Sequence, residues 1–199
     1  MNALDSLINA LRTLPGVSKK AAAKMALHML QNREDSLHKL QASLTEADAQ
    51  VKSCTSCGNL DVTDPCQICA SDARNNGQIC IVPLVSDLWA LEKTRLFRGT
   101  YQVLGGLLSA INGITPEQLR IHVIEQQLAA QTEIKEVILA LPASVEGAST
   151  THHLIEVLQG VLSDHVVYTK LAHGMPMGGH LDTLDEGTLS IALSGRARV

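Results

Sequence analysis

Cys54-Thr-Ser-Cys57-Gly-Asn-Leu-Asp-Val-Thr-Asp-Pro-Cys66-Gln-Ile-Cys69 holds two Cys-x-x-Cys pairs separated by eight residues. This spacing brings four thiolates within reach of one tetrahedral Zn²⁺, at about 2.3 Å per bond. The loop between the pairs opens on Gly58 and closes on Pro65, and its polar, turn-forming residues let it double back. Two disulfides, a redox Cys-x-x-Cys or coincidence are the rival readings. No secretory signal stands at the start, so a reducing cytosol is expected and disulfides are disfavoured. A redox motif needs one pair beside a βαβ unit, whereas here two pairs face one loop. The expectation is a structural zinc held by Cys54, Cys57, Cys66 and Cys69. Four protein ligands leave no position open for a substrate, so the ion is a staple and not a catalyst.

Outward from this module, the 199 residues suffice for one sizeable core or two small domains. A hydrophobic share of 45% with 18% charged residues describes a folded chain, not a disordered one. No apolar run approaches the roughly 20 residues a membrane span needs. Aromatics are scarce (Trp89, Phe97, Tyr101 and Tyr168), so the core must be built from aliphatic side chains, and the scarcity argues against base-stacking platforms as the mode of nucleic-acid binding. A net charge of −4 makes the whole surface no trap for polyanions. The charge is unevenly spread, however. Residues 1–30 carry Arg12, Lys19, Lys20 and Lys24 against Asp5 alone.

In residues 2–11, Leu4, Leu7, Ile8 and Leu11 fall on one helical face. Leu14-Pro15-Gly16-Val17 breaks that pattern, because proline restricts its predecessor and glycine admits positive φ. Ser18 is placed to cap a second helix over 19–31, with Ala22, Met25, Ala26 and Met29 among its apolar positions. Helix, turn and lysine-bearing helix resemble a helix-hairpin-helix, in which turn amides at a helix N-terminus hold a DNA phosphate without reading bases. The plainer reading is an αα-hairpin with a solvated lysine face. A third helix, over roughly 34–48, carries Leu37, Leu40 and Leu44 towards the first cysteine.

Beyond the cysteines the periodicity changes. Ile79-Cys80-Ile81-Val82 is a short continuous apolar run, as expected of a strand covered on both faces. A helix over 86–94, the run Tyr101–Leu104, a Gly105-Gly106 turn and a helical segment over 116–130 follow. A strand over 136–141, a helix over 149–162 and a strand over 166–169 complete the alternation. Strands alternating with helices predict a parallel α/β sheet. Trp89 and Leu91 are expected to pack their helix onto that sheet, and Cys80 to be an inert core residue. Residues 174–189 read as a Gly/Pro-rich turn running into a short amphipathic helix. Gly178-Gly179 is no phosphate loop, since the Gly-Lys-Ser/Thr of that motif is absent. The neighbours His152 and His153 point different ways on a helix and form no i,i+4 metal pair.

Taken in order, these pieces resemble the RecR family of recombination mediator proteins over nearly the full length. The resemblance rests on Leu14-Pro-Gly-Val17 with the lysine helix, the four cysteines, Arg98-Gly-Thr-Tyr-Gln-Val-Leu-Gly-Gly106, Val145-Glu-Gly-Ala-Ser-Thr150 and Gly174-Met-Pro-Met-Gly-Gly179. It implies an α/β protein with a helix-hairpin-helix region (1–53), a zinc finger (54–77), a Toprim domain (78–173) and a C-terminal segment (174–199) that wraps onto a neighbouring subunit. It implies further a bacterial cytoplasmic, nucleoid-associated protein that forms a tetrameric ring around DNA. Its partners would be RecO and sometimes RecF, and its task the loading of RecA on gapped DNA. Gly16, Lys19, Lys20 and Lys24 would be the phosphate contacts.

The chain departs from the family pattern at several positions. Ser18 stands where a second hairpin glycine is usual, and Lys24 where an arginine is. Pro83 occupies the place of the Toprim glutamate. Gln102, Ala110 and Asn112 replace a usual His, Pro and Asp, while Lys170 and His173 replace arginines. Catalytic Toprim enzymes use that glutamate for acid/base work and an Asp-x-Asp pair for Mg²⁺. Proline does neither, and no Asp-x-Asp follows residues 136–141; of such acids only Glu146 stands nearby. A non-enzymatic DNA clamp is therefore the leading expectation. The alternatives are a Toprim-type nuclease or primase, revealed by Mg²⁺-dependent cleavage or synthesis, and a protein–protein adaptor that no longer holds DNA.

Overall fold

The structure, a computed structural model, describes residues 2–172, 174–176 and 178–196. The chain forms two compact units, Met1–Val51 and Lys52–Val199. In the first, α1 (Ala3–Arg12) starts from a reciprocal cap. The Asp5 amide donates to Asn2 Oδ1 at 2.8 Å, and the Asn2 amide to the Asp5 carboxylate. The Val17 amide donates to the Leu14 carbonyl at 3.2 Å, closing a turn with Pro15 and Gly16 at its centre. Gly16 takes φ +76°, and a Cβ there would meet nothing within 4 Å, so conformation alone demands the glycine.

Ser18 then caps α2 (Lys19–Gln31), its hydroxyl accepting from the Ala21 amide. At φ −72° this position needs no glycine, and serine gives the helix a side-chain cap that glycine lacks. Small side chains at Ala22 and Ala26, both fully buried, let α1 and α2 approach closely. The third helix departs from expectation. Asn32 leaves helical geometry (φ −120°, ψ 60°), a wide π-type turn spans Arg33–His38, and regular α3 runs Lys39–Gln50.

The second unit begins with a short antiparallel ribbon, β1 (Lys52–Ser53) against β2 (Leu60–Asp61). It continues through β3 (Gln78–Val82), α4 (Val85–Thr94), β4 (Thr100–Val103), α5 (Ile121–Ala129), β5 (Glu136–Leu139), α6 (Val145–Gln159), β6 (Val167–Lys170) and α7 (Glu186–Ser194). The four long strands pair in parallel in the order β4-β3-β5-β6. Central β3 is buried on both sides: Ile79 and Ile81 face α5 and α6, while Cys80 and Val82 face α4. Burial pushes the Cys80 thiol up to about 12, which keeps it protonated and unreactive.

Several boundaries differ from the sequence expectation. The expected 116–130 helix divides, because Pro116 starts a 3₁₀ turn ending at Gln118 and Leu119 is extended. Helix α6 starts four residues early, since Ser144 caps it and Gly147 is absorbed into its first turn. Trp89 does not pack α4 onto the sheet. It is 55% exposed, and its indole N–H donates to Asn59 Oδ1 at 2.9 Å. Leu91 does lie against the α4 side of the core. The apolar residues of α7 are spread round the helix instead of forming one stripe, and none is buried. His173 and Met177, one departure and one motif position, lie outside the described residues.

Candidate metal centre and nucleic-acid hairpin

Two short knuckles present the cysteines. The Gly58 amide donates to the Cys54 carbonyl and the Ala70 amide to the Cys66 carbonyl, each at 2.9 Å, so each Cys-x-x-Cys curls into one tight turn. Gly58 permits the first at φ +81°. Asp64 holds the loop closed, its carboxylate accepting from both the amide and the hydroxyl of Thr55 at 2.9 Å. These bonds keep the Asp64 carboxyl below its usual range. Asp61 likewise accepts the Gln67 amide.

As a result the four sulfurs lie within 4.8 Å of one another, with Cys57 and Cys66 Sγ 3.6 Å apart. A tetrahedron with bonds of about 2.3 Å has edges of about 3.8 Å, so the set fits one Zn²⁺. Backbone amides already point at two of the sulfurs: Cys54 Sγ accepts the Cys66 amide and Cys57 Sγ the Asn59 amide. A hydrogen bond from the Cys69 thiol, helped by the Asn59 amide, draws the Cys57 thiol down to about 6. Among the described residues this is the one group of three or more His, Cys, Asp or Glu side chains close enough to hold a metal; His152 and His153 join no such group.

The module is clamped to the edge strand β4. The Val103 amide donates to the Cys57 carbonyl at 2.8 Å. Arg120 fills the space over Gly58 and donates to the carbonyls of Val103 and Thr55. Gln127 Nε2 donates to the Thr55 carbonyl at 3.0 Å, and Gln102 Nε2 to Gln127 Oε1 at 3.1 Å. With Asn59 and Trp89, these residues form a polar seam that the sequence reading missed. No spacing signals it, because its members come from four separate segments.

At the carboxyl ends of β3 and β5 lies the crevice where ligands of such sheets bind. Here it is a cavity of about 460 Å³ lined by Pro83, Leu84, Ala140, Leu141, Pro142 and Leu171, with Asp87 as its carboxylate. Asp87 is engaged as the cap of α4, accepting the Leu84 amide at 3.0 Å. Pro83 is buried, and its carbonyl accepts the Gly105 amide.

In the first unit Gly16, Lys19, Lys20 and Lys24 are all exposed. The hairpin turn leads straight into α2, whose Lys19 and Lys20 amides have no carbonyl of their own helix to bond. Lys20 and Lys24 share one face.

The RecR helix-hairpin-helix family matches residues 4–48, the RecR four-cysteine zinc finger domain residues 51–71, the Toprim domain residues 77–172 and the RecR C-terminal family residues 174–197. A recombination protein RecR of Sphingopyxis alaskensis is 45% identical over 98% of this chain and 97% of its own length. The chain belongs to the RecR family. RecR proteins of Gluconobacter oxydans and Mesorhizobium japonicum are 46% and 45% identical over 97% of the chain, covering 96% and 94% of their own lengths. The four close cysteines therefore sit within a RecR four-cysteine zinc finger, whose metal is structural: the set closes a tetrahedron with no place for a substrate. No described helix is long and apolar enough to cross a membrane.

Proposed function

We propose that this RecR-family chain is a cytoplasmic, nucleoid-associated and non-enzymatic DNA clamp. It acts as a recombination mediator with RecO, and with RecF where present, to help load RecA on gapped DNA. The observation that carries this reading is the Leu14–Val17 turn, with Gly16 at positive φ feeding open amides and three exposed lysines at the start of α2. The helix dipole favours an anion there, so Gly16, Lys19, Lys20 and Lys24 take a backbone phosphate without regard to sequence. Cys54, Cys57, Cys66 and Cys69 hold the structural Zn²⁺. The division is hairpin 1–53, zinc finger 54–77, Toprim 78–173 and C-terminal segment 174–199.

A tetrameric ring is favoured by apolar surface left uncovered in each unit: Leu40 and Leu44 on α3, Leu181 and Leu193 around α7. In a ring, a small contribution from each hairpin is multiplied through effective concentration, so a chain of net charge −4 still holds DNA.

Salt-dependent DNA titration of wild type and Lys20→Ala/Lys24→Ala, with oligomer mass measured alongside, tests the reading. The double variant should bind about tenfold more weakly per lost contact near 0.1 M salt. The slope of log K against log[salt] should flatten by roughly one unit per lost contact in each engaged subunit. Stability should hold within about 0.5 kcal/mol, since both lysines are exposed. Unchanged affinity and slope at intact mass would leave the adaptor reading in its place.

The absence of catalysis has its own test. Pro83→Glu restores one acid to a crevice whose carboxylate, Asp87, is already engaged in capping α4 and which has no Asp-x-Asp beside it, so the variant should show no Mg²⁺-dependent cleavage or synthesis. Mg²⁺-dependent nicking by rigorously purified wild type would overturn the clamp.

A further inference from the structure

From the geometry of the α4–β4 connection we infer a second phosphate-binding surface, on the Toprim unit, formed by Arg95 and Arg98 with Lys93 beside them. Three cations fall within six residues of a chain in which acids outnumber bases by 20 to 16. All three side chains are exposed. Among the described residues, none of them joins a salt bridge.

Arg95 is the decisive residue. It ends α4 in the left-handed region at φ 58°, the one non-glycine described residue with positive φ. Glycine closes a helix there without strain, and the bond that makes the cap, from the Arg95 amide to the Glu92 carbonyl at 3.0 Å, is independent of the side chain. An arginine held in a conformation that glycine prefers points to a use for its guanidinium outside the fold. Lys93 alone would carry nothing, because the last turn of any helix welcomes a cation.

The loop is also rigid before any ligand arrives. Arg74, half-buried beneath it, donates to the carbonyls of Phe97 and Gly99 and is paired with Glu92. The hydrogen bond from Arg74 first, and the nearby charge of Arg98 more weakly, hold the Glu92 carboxyl below its usual range, so Glu92 is engaged chiefly by Arg74. Phe97 packs edge-on against buried Tyr101, with ring centres 5.1 Å apart. Gly99 lies so close to the Gln78 carbonyl that a Cβ there would overlap it at 2.2 Å. Arg95 and Arg98 therefore project from a fixed frame, and a guanidinium fork matches phosphate oxygens two at a time.

This inference rests on the proposal that the chain holds DNA. A labelled oligonucleotide is titrated with full-length wild type, Arg95→Gly/Arg98→Gln and Lys20→Ala/Lys24→Ala across a salt series. The arginine variant should lose about tenfold in affinity per contact near 0.1 M salt, and its slope should flatten by roughly two units per engaged protomer. Its melting temperature should equal or exceed that of wild type, because Arg95→Gly relieves the left-handed backbone. Weaker binding in a protein no less stable is a result that a structural role would not produce. If wild type and the lysine variant behave as expected while the arginine variant matches wild type, the second surface falls and the clamp stands; the loop would then suit an acidic protein segment. If wild type binds no DNA, both proposals fail together.

Discussion

Cys57→Ser purified from cells should carry less than one zinc per chain by native mass spectrometry, and its second unit should melt far below that of wild type. Cys57 is fully buried, with its sulfur 3.6 Å from that of Cys66. A serine hydroxyl does not replace a thiolate as a zinc ligand at neutral pH, so three ligands remain where four closed the site. Structural Zn²⁺ supplies on the order of 10 kcal/mol in small zinc domains. The loss should spread beyond the loop, because the Cys57 carbonyl is itself bonded by the Val103 amide of edge strand β4. Chelation of wild type should reproduce the variant. Purified wild type that holds no zinc, or a variant that melts with it, would refute the staple.

The second large effect is expected at Gly147, in the first turn of α6. A Cβ there would stand 2.0 Å from the Pro142 carbonyl oxygen, which is backbone and cannot swing aside. Gly147→Ala must therefore push the β5–α6 link away from the helix and disturb the Ser144 cap. Overpacking against backbone costs about 3 kcal/mol, a large share of the roughly 5–15 kcal/mol that holds a domain folded. For a unit of this size the melting temperature should fall by about 6–12 °C. Gly16→Ala is the matched control. Nothing crowds that position, so only its φ of +76° resists the methyl group, at about 1 kcal/mol. Equal losses at the two glycines in thermal denaturation would show that the close approach at Gly147 is not what requires glycine.

Much of this protein was written locally. Two Cys-x-x-Cys pairs and a turn-rich loop determine a tetrahedral sulfur site, because a knuckle needs only neighbouring residues and its own amides. Pro15, Gly16 and Ser18 determine the hairpin for the same reason: turn, positive φ and cap are each decided within four residues. Strand β3 was legible as an unbroken apolar run, since a strand buried on both faces has no polar side to show.

Other features were decided only when distant segments met. Trp89 reads as core, yet its indole N–H reaches Asn59 of the zinc loop thirty residues away and stays half exposed. Gln102, Arg120 and Gln127 read as ordinary polar residues until the seam between zinc module and β4 gives each a carbonyl or amide partner. The left-handed turn at Arg95 breaks the local preference for glycine, so local preference could not reveal it. Sequence alone determined which short motifs form, through covalent geometry and nearest-neighbour hydrogen bonds. Tertiary structure alone decided which polar side chains tie those motifs together, because a donor on one element finds its acceptor only when packing brings both to one place.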